Sequence, residues 1–341
     1  MLAHRMTRIA LWTLAALAVL ILAAFLWLRQ SPYWAGITLF SENHRVENFR
    51  AMERVFPARD VPRAGAVWAF DRAPAPLPET YAFEGEPHNL AAFFDRTETT
   101  GLLVVHRGAI THEEYRQGAD ETSPFTSWSM AKSVLSALIG IAVEEGHIAS
   151  LRDPIGAYVP ALAGSAYGDV PIEDALTMSS GVAFDEDYDN PASDINMLFI
   201  RAMAMGVPVE ETLAGLDRVR DSGIYNDYVS SDSMALGLVL EAATGMAPAD
   251  YLASRLWGPM GAESCSPLRR SASTSSSQPR EIIAATAFFA AAPCSPSGSG
   301  MARLPGRVAA RLRTMVWVSV SLGMGASGSG GAAGNAPPST G

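Results

Sequence analysis

The chain opens on an uninterrupted apolar block and then changes rhythm several times. Residues 9–28 hold no charged side chain over twenty positions, long enough to cross the hydrocarbon of a bilayer as a helix. His4, Arg5 and Arg8 precede the block, which by the positive-inside rule keeps the N-terminus cytoplasmic. A cleaved signal peptide is the competing reading. Its apolar core is usually shorter, however, and no clean small-x-small site follows Leu28. The expectation is a retained single-pass anchor in the inner (cytoplasmic) membrane, with the folded part on the periplasmic side.

Beyond the block, residues 31–98 are expected to form an irregular linker and extension. Up to residue 87 they are rich in proline and aromatics, and the run at 72–78 (RAPAPLP) reads as extended. The pattern then tightens. A strand over 102–105, a turn at Arg107-Gly108 and a strand over 109–115 predict a hairpin. Next, Met130, Val134, Leu135, Leu138, Ile139, Ile141 and Val143 repeat at helical spacing around most of a circumference. Thr126 and Ser127 stand as possible caps, and Gly146 as a stop, so a helix buried in a domain core is predicted. Residues 150–154 read as a turn and 172–178 as a short helix running into Ser179-Ser180-Gly181. An acidic loop follows at 185–191 (DEDYDNP). Two further helices are predicted, 232–244 with Gly245 as its stop and another from Pro248 to residue 257.

Composition then narrows the function. A chain of 341 residues with 48% hydrophobic content can build one large or two intimate lobes. A net charge of −10 argues against nucleic acid as a partner, because phosphate binding needs a basic face. Six scattered histidines with no H-x-x-x-H or C-x-x-C spacing offer no ligand set for a metal, and no cofactor is expected. No G-x-S-x-G elbow is present. Cys265 and Cys294 are too few for a disulfide framework; one bridge or a free pair are both open.

One residue changes the picture. Lys132 is the only lysine in the chain, and a lysine amine, unlike a guanidinium, can be induced to give up its proton. Ser129 stands three residues upstream, on the same face of the predicted helix. Its place in the first turn puts it beside free backbone N–H groups and the positive end of the dipole. The plain alternative is a serine that caps the helix and a lysine that reaches out to solvent. In the acidic loop, the D-x-D-x-D start resembles a calcium loop, yet Asn190 stands where such a loop needs glycine and Asn196 where it needs glutamate. No metal site is expected there.

Taken together, SMAKS at 129–133, LTMSSGVAFDEDYDNP at 176–191, YVSSDSMALG at 228–237 and YLASRLWGPMG at 251–261 resemble the serine β-lactamase and penicillin-binding-protein superfamily. The likeness is to the branch of class C β-lactamases, related esterases and 6-aminohexanoate-dimer hydrolases, and it runs from about residue 100 to 263. Tyr228, not Tyr225, matches the Y-x-S motif, because Gly237 lies nine residues after Tyr228. The resemblance implies an α/β (α+β) fold, an antiparallel sheet flanked by helices plus a mostly helical lobe, with the hydrolase domain spanning 99–265. It implies that Ser129 attacks a carbonyl to form an acyl-enzyme, with Lys132 and Tyr228 as general base and acid. Ser230 would bind Lys132 or substrate, and Tyr188 would close over the substrate from a mobile loop. The substrate would be a small amide, lactam or ester, and the acidic rim favours one carrying an amine.

The family's third element, a C-terminal strand with a K-T-G-like, H-x-G-like or G-x-G-like motif, is not found. From about Ser266 the chain turns into Ser/Gly/Pro/Ala/Arg-rich sequence with seven arginines, no aspartate and no tyrosine, which packs a core poorly. Residues 266–341 therefore read as a low-complexity tail, the family's last sheet in a shifted frame or otherwise replaced. The alternative function that follows is a penicillin-recognising or pseudoenzyme relative that has lost its cleft wall.

Overall fold

A computed structural model describes residues 2–262, apart from 57, 60 and 62–64. The tail, with Cys265, Cys294 and the shifted-frame reading of 266–341, lies outside the described residues. Those described fall into two compact units, residues 2–69 with 121–262 and the segment Phe70–Asp120.

The first unit begins with helix α1 (Leu2–Gln30). Its stretch Met6–Gln30 is long and apolar enough to cross a membrane, and none of it is buried within the protein. Such a helix at the N-terminus suggests a signal sequence or a membrane anchor. Two short helices follow, α2 (Pro32–Ile37) and α3 (Arg45–Phe49). Leu39, Met52, Val55 and Phe56 bury together, and Phe49, Trp128 and Phe199 pack against them.

The second unit is a small β structure. Strands β1 (Asp71–Arg72), β2 (Thr80–Phe83) and β3 (Glu86–Asn89) precede helix α4 (Leu90–Arg96), whose first turn is capped by the Asn89 side chain. Strands β4 (Gly101–His106) and β5 (Ala109–Tyr115) form the expected antiparallel hairpin, with Leu103 opposite Glu113. Arg107 (φ 52°) and Gly108 (φ 81°) both take positive φ, the pair of angles a tight two-residue hairpin requires. The sheet is not purely antiparallel, as the resemblance implied, but mixed. β1 lies parallel to β5, with Asp71 beside Ala109. The alternation Ala73-Pro74-Ala75-Pro76 explains how a proline-rich run can do this: the Ala73 and Ala75 amides donate to Ile110 and Thr111. The prolines, which have no N–H, fall at the positions between.

Returning to the first unit, α5 (Met130–Glu144) and α10 (Ser230–Thr244) form its centre. Leu138, Ile139 and Ala142 of α5 bury in one cluster with Ala235, Leu236, Val239 and Leu240 of α10. Around them lie α6 (Ile155–Tyr158), α7 (Ile172–Leu176), α8 (Asp194–Ala204), α9 (Val209–Ala214) and α11 (Pro248–Leu252). The expectation that α5 is buried nearly all round is corrected. Ser133, Ser136, Ala137 and Gly140 are exposed among the described residues. These small residues recur at helical spacing and define a second face, whereas Ala131, Leu138, Ile139 and Ala142 are buried. α7 stops at Leu176, two residues earlier than predicted, because Met178 adopts a left-handed φ of 54°. α10 starts two residues earlier, and its first turn is buried. It ends as expected on Gly245, at φ 65°. Gly181 sits at a close crossing of two segments: a Cβ there would lie 2.2 Å from the Arg220 carbonyl oxygen.

Candidate active site

Ser129 ends the turn before α5. Its backbone is already near-helical (φ −64°, ψ −8°), and its side chain makes no capping bond. The hydroxyl is thereby left for another partner, and Lys132 supplies it: Nζ donates to Ser129 Oγ at 3.0 Å and to Ser230 Oγ at 3.1 Å. The first contact follows from one turn of helix. The second spans 98 residues of sequence and exists because α5 and α10 pack side by side. Ser129 is exposed and Lys132 half-buried, so the pair stands open to a ligand.

Tyr228 lies just before α10, half of it exposed at 49%. It presents its ring face to the lysine, with Nζ 5.2 Å from the ring centroid, the geometry of a cation–π contact. Ser230 is buried and begins the helix. Its amide donates to Glu186 Oε2 at 2.8 Å, and its hydroxyl donates to Glu186 Oε1. A carboxylate at a helix N-terminus is favoured by the free N–H groups and the dipole. Tyr188 donates to the same Oε1 at 3.0 Å. Burial, reinforced by the Glu186 charge, pushes the Tyr188 hydroxyl well above the ordinary tyrosine range, so it remains a donor at neutral pH.

Ser129, Lys132, Tyr228 and Ser230 thus come together directly, and Tyr188 joins them through Glu186. In the sequence, Glu186 reads only as one negative charge on a rim. The available signal was a glutamate two residues before the loop tyrosine, which does not reveal a partner 44 residues away. The other acids of the loop serve its own backbone. Asp185 Oδ1 accepts from the Asp187 amide, Asp187 Oδ1 from the Asp189 amide, and Asp194 Oδ2 from the Asp185 amide. Asn196 ties the loop to α8 through the Tyr188 and Asn190 carbonyls. Among the described residues no group of three metal-ligating side chains is gathered.

Behind this site a second acid is wholly enclosed. Tyr167 donates to Asp232 Oδ1 at 2.8 Å, with both residues fully buried. Burial pushes the Asp232 carboxyl up to about 6, opposed by hydrogen bonds from Ser180 and Tyr167.

A serine and a lysine one helical turn apart, facing a Y-x-S segment at the entry to a second helix, define a class of protein as well as a site. The sequence signature of the Beta-lactamase family matches residues 89–270, and the chain belongs to that family, on its class C-like side. The named relatives are more particular. A 6-aminohexanoate-dimer hydrolase from Paenarthrobacter ureafaciens is 28% identical over 175 residues, which are 50% of this chain and 44% of the relative. The chain therefore matches less than half of that relative's length. The fold of a Bacillus anthracis protein, provisionally described as a 6-aminohexanoate-dimer hydrolase, superposes with a TM-score of 0.60 at 20% identity. It covers 66% of this chain and 62% of that one.

Proposed function

We propose that the chain is a serine hydrolase that cleaves a small amide or ester through an acyl-enzyme on Ser129. The observation that carries this reading is the paired contact of Lys132 Nζ with Ser129 Oγ (3.0 Å) and Ser230 Oγ (3.1 Å). In the reactive form Lys132 is the free amine and takes the Ser129 proton as Oγ attacks the substrate carbonyl. Collapse of the tetrahedral adduct expels the amine or alcohol, which leaves with that proton. Water then attacks the acyl-serine ester, and the proton returns to Ser129. Tyr228 stabilises the ammonium formed in the first step with its ring face and hands the proton to the leaving group. Ser230, held by Glu186, keeps Lys132 aimed at Ser129. The likeness to the Paenarthrobacter 6-aminohexanoate-dimer hydrolase favours an amide. The acidic stretch 185–189 beside the site favours a substrate with an amine.

In this reading residues 1–30 anchor the chain in the inner membrane, 31–98 form an extension, and the hydrolase domain spans 99–265 on the periplasmic side. The test is labelling of the full chain with a fluorescent fluorophosphonate, followed by turnover of a p-nitrophenyl ester and of a 6-aminohexanoate amide. A label lost in Ser129→Ala, together with turnover, is the expected result. An adduct that does not turn over indicates a sensor. A folded chain that takes no label refutes the nucleophile.

A further inference from the structure

The residue before the nucleophile, Trp128, has a left-handed backbone at φ 44°, a conformation uncommon for a bulky side chain and held only where the surroundings insist on it. Its indole is held from two sides. Phe40 stacks on it with centroids 5.6 Å apart and planes 24° from parallel, and Phe49 meets it edge-on at 5.1 Å. The Phe49 carbonyl also accepts a bond from the Thr126 hydroxyl, two residues further back. Both phenylalanines come from the segment that follows α1. That segment is tied in turn to the end of α1, where Phe25 meets Trp34 edge-on at 5.8 Å.

Phe40 has a second neighbour. Its ring lies 6.5 Å from that of Tyr188, at 69°. One side chain therefore touches the residue that sets the backbone of Ser129 and also the loop tyrosine bound to Glu186. Phe40 is 43% exposed, so it is a poor contributor to core stability. An exposed aromatic at this junction is better explained by the two groups it holds than by the area it buries.

We infer that Phe40 is a positioning residue of this site: it clamps Trp128, and through it Ser129, against the Tyr188 loop. The segment after the apolar helix then belongs to the active site and is not a passive tether. The inference rests on Ser129 being the nucleophile, so its test carries two separate readouts on the full chain in detergent micelles. One is amide hydrogen exchange in peptides covering 126–132 and 185–191. The other is the rate of fluorophosphonate labelling and of p-nitrophenyl ester turnover. In Phe40→Ala, exchange should quicken in both peptides, and labelling should slow about ten-fold or more, as small misplacements of reacting groups do. The loss should fall on kcat more than on KM. Phe40→Tyr, which keeps the ring, should restore both readouts. Phe40→Leu keeps bulk without the ring and serves if the alanine variant fails to melt cooperatively. Unchanged exchange in both peptides overturns the inference, as does quickening near 126–132 alone. A wild-type chain that takes no label refutes the nucleophile instead, and the exchange comparison then decides the clamp by itself.

Discussion

Two tyrosine–carboxylate pairs flank the first turn of α10, in opposite surroundings. Tyr188 and Glu186 stand at the mouth, with Tyr188 partly exposed and Glu186 half-buried, and the carboxylate also receives the amide and hydroxyl of Ser230. Tyr167 and Asp232 are sealed in the core. The same two functional groups make the same bond in both places. What differs is how far the acid is enclosed. Glu186 is half-buried and receives three donors at a helix N-terminus. Asp232 is dominated by its burial, which favours the neutral acid. In the proposed mechanism the mouth pair aims Lys132 through Ser230, whereas the core pair joins α10 to the Tyr167 segment.

Breaking the link that both pairs ultimately support should give the largest effect. Lys132→Ala should lower ester turnover by about a thousand-fold or more, since it removes the base of a concerted unit, while circular dichroism stays that of the wild type. Next comes the core acid. Its carboxyl is raised from the ordinary 3.8 to about 6, so between those values the folded chain holds a proton that the unfolded chain has released. The stability this contributes is complete below pH 4 and is lost as pH rises through 6. Asp232→Asn does not titrate, so the wild type should lose roughly 2–3 kcal/mol of stability relative to the variant from pH 4 to pH 7, read by urea unfolding at each pH. Tyr167→Phe removes one of the donors to a buried carboxyl and should cost roughly 1–3 kcal/mol by the same measurement. Glu186→Gln should do the reverse of the core variants. It should lower kcat/KM by about ten-fold, near 1.4 kcal/mol, and change the melting temperature little. Should Glu186→Gln destabilise the chain as much as Tyr167→Phe does, the division between an aiming pair and a structural pair is wrong.

Local features of this site could be read from the sequence; long-range ones could not. The spacing of Ser129 and Lys132 is one helical turn, so their contact follows from local geometry. The hairpin at 101–115 announced itself through Arg107-Gly108, because so few residues tolerate that turn. Tyr228 was separable from Tyr225 only through its distance to Gly237. Glu186 and Phe40 gave no such signal. Each acts through a segment distant in sequence, and a glutamate in an acidic loop or a phenylalanine in an aromatic-rich stretch is indistinguishable from its neighbours until the chain is folded. Asp232 gave no signal either: only the arrival of Tyr167, 65 residues away in sequence, provides its buried partner.

The crowding at Gly181 limits how this loop can change over evolutionary time. Backbone oxygen of Arg220 occupies the volume where any side chain would begin, and oxygen fixed in a main chain cannot rotate aside. Position 181 admits no exchange: the two crossing segments would have to part by more than an ångström before even alanine could enter, and they carry Ser180 on one side and the approach to Tyr228 on the other.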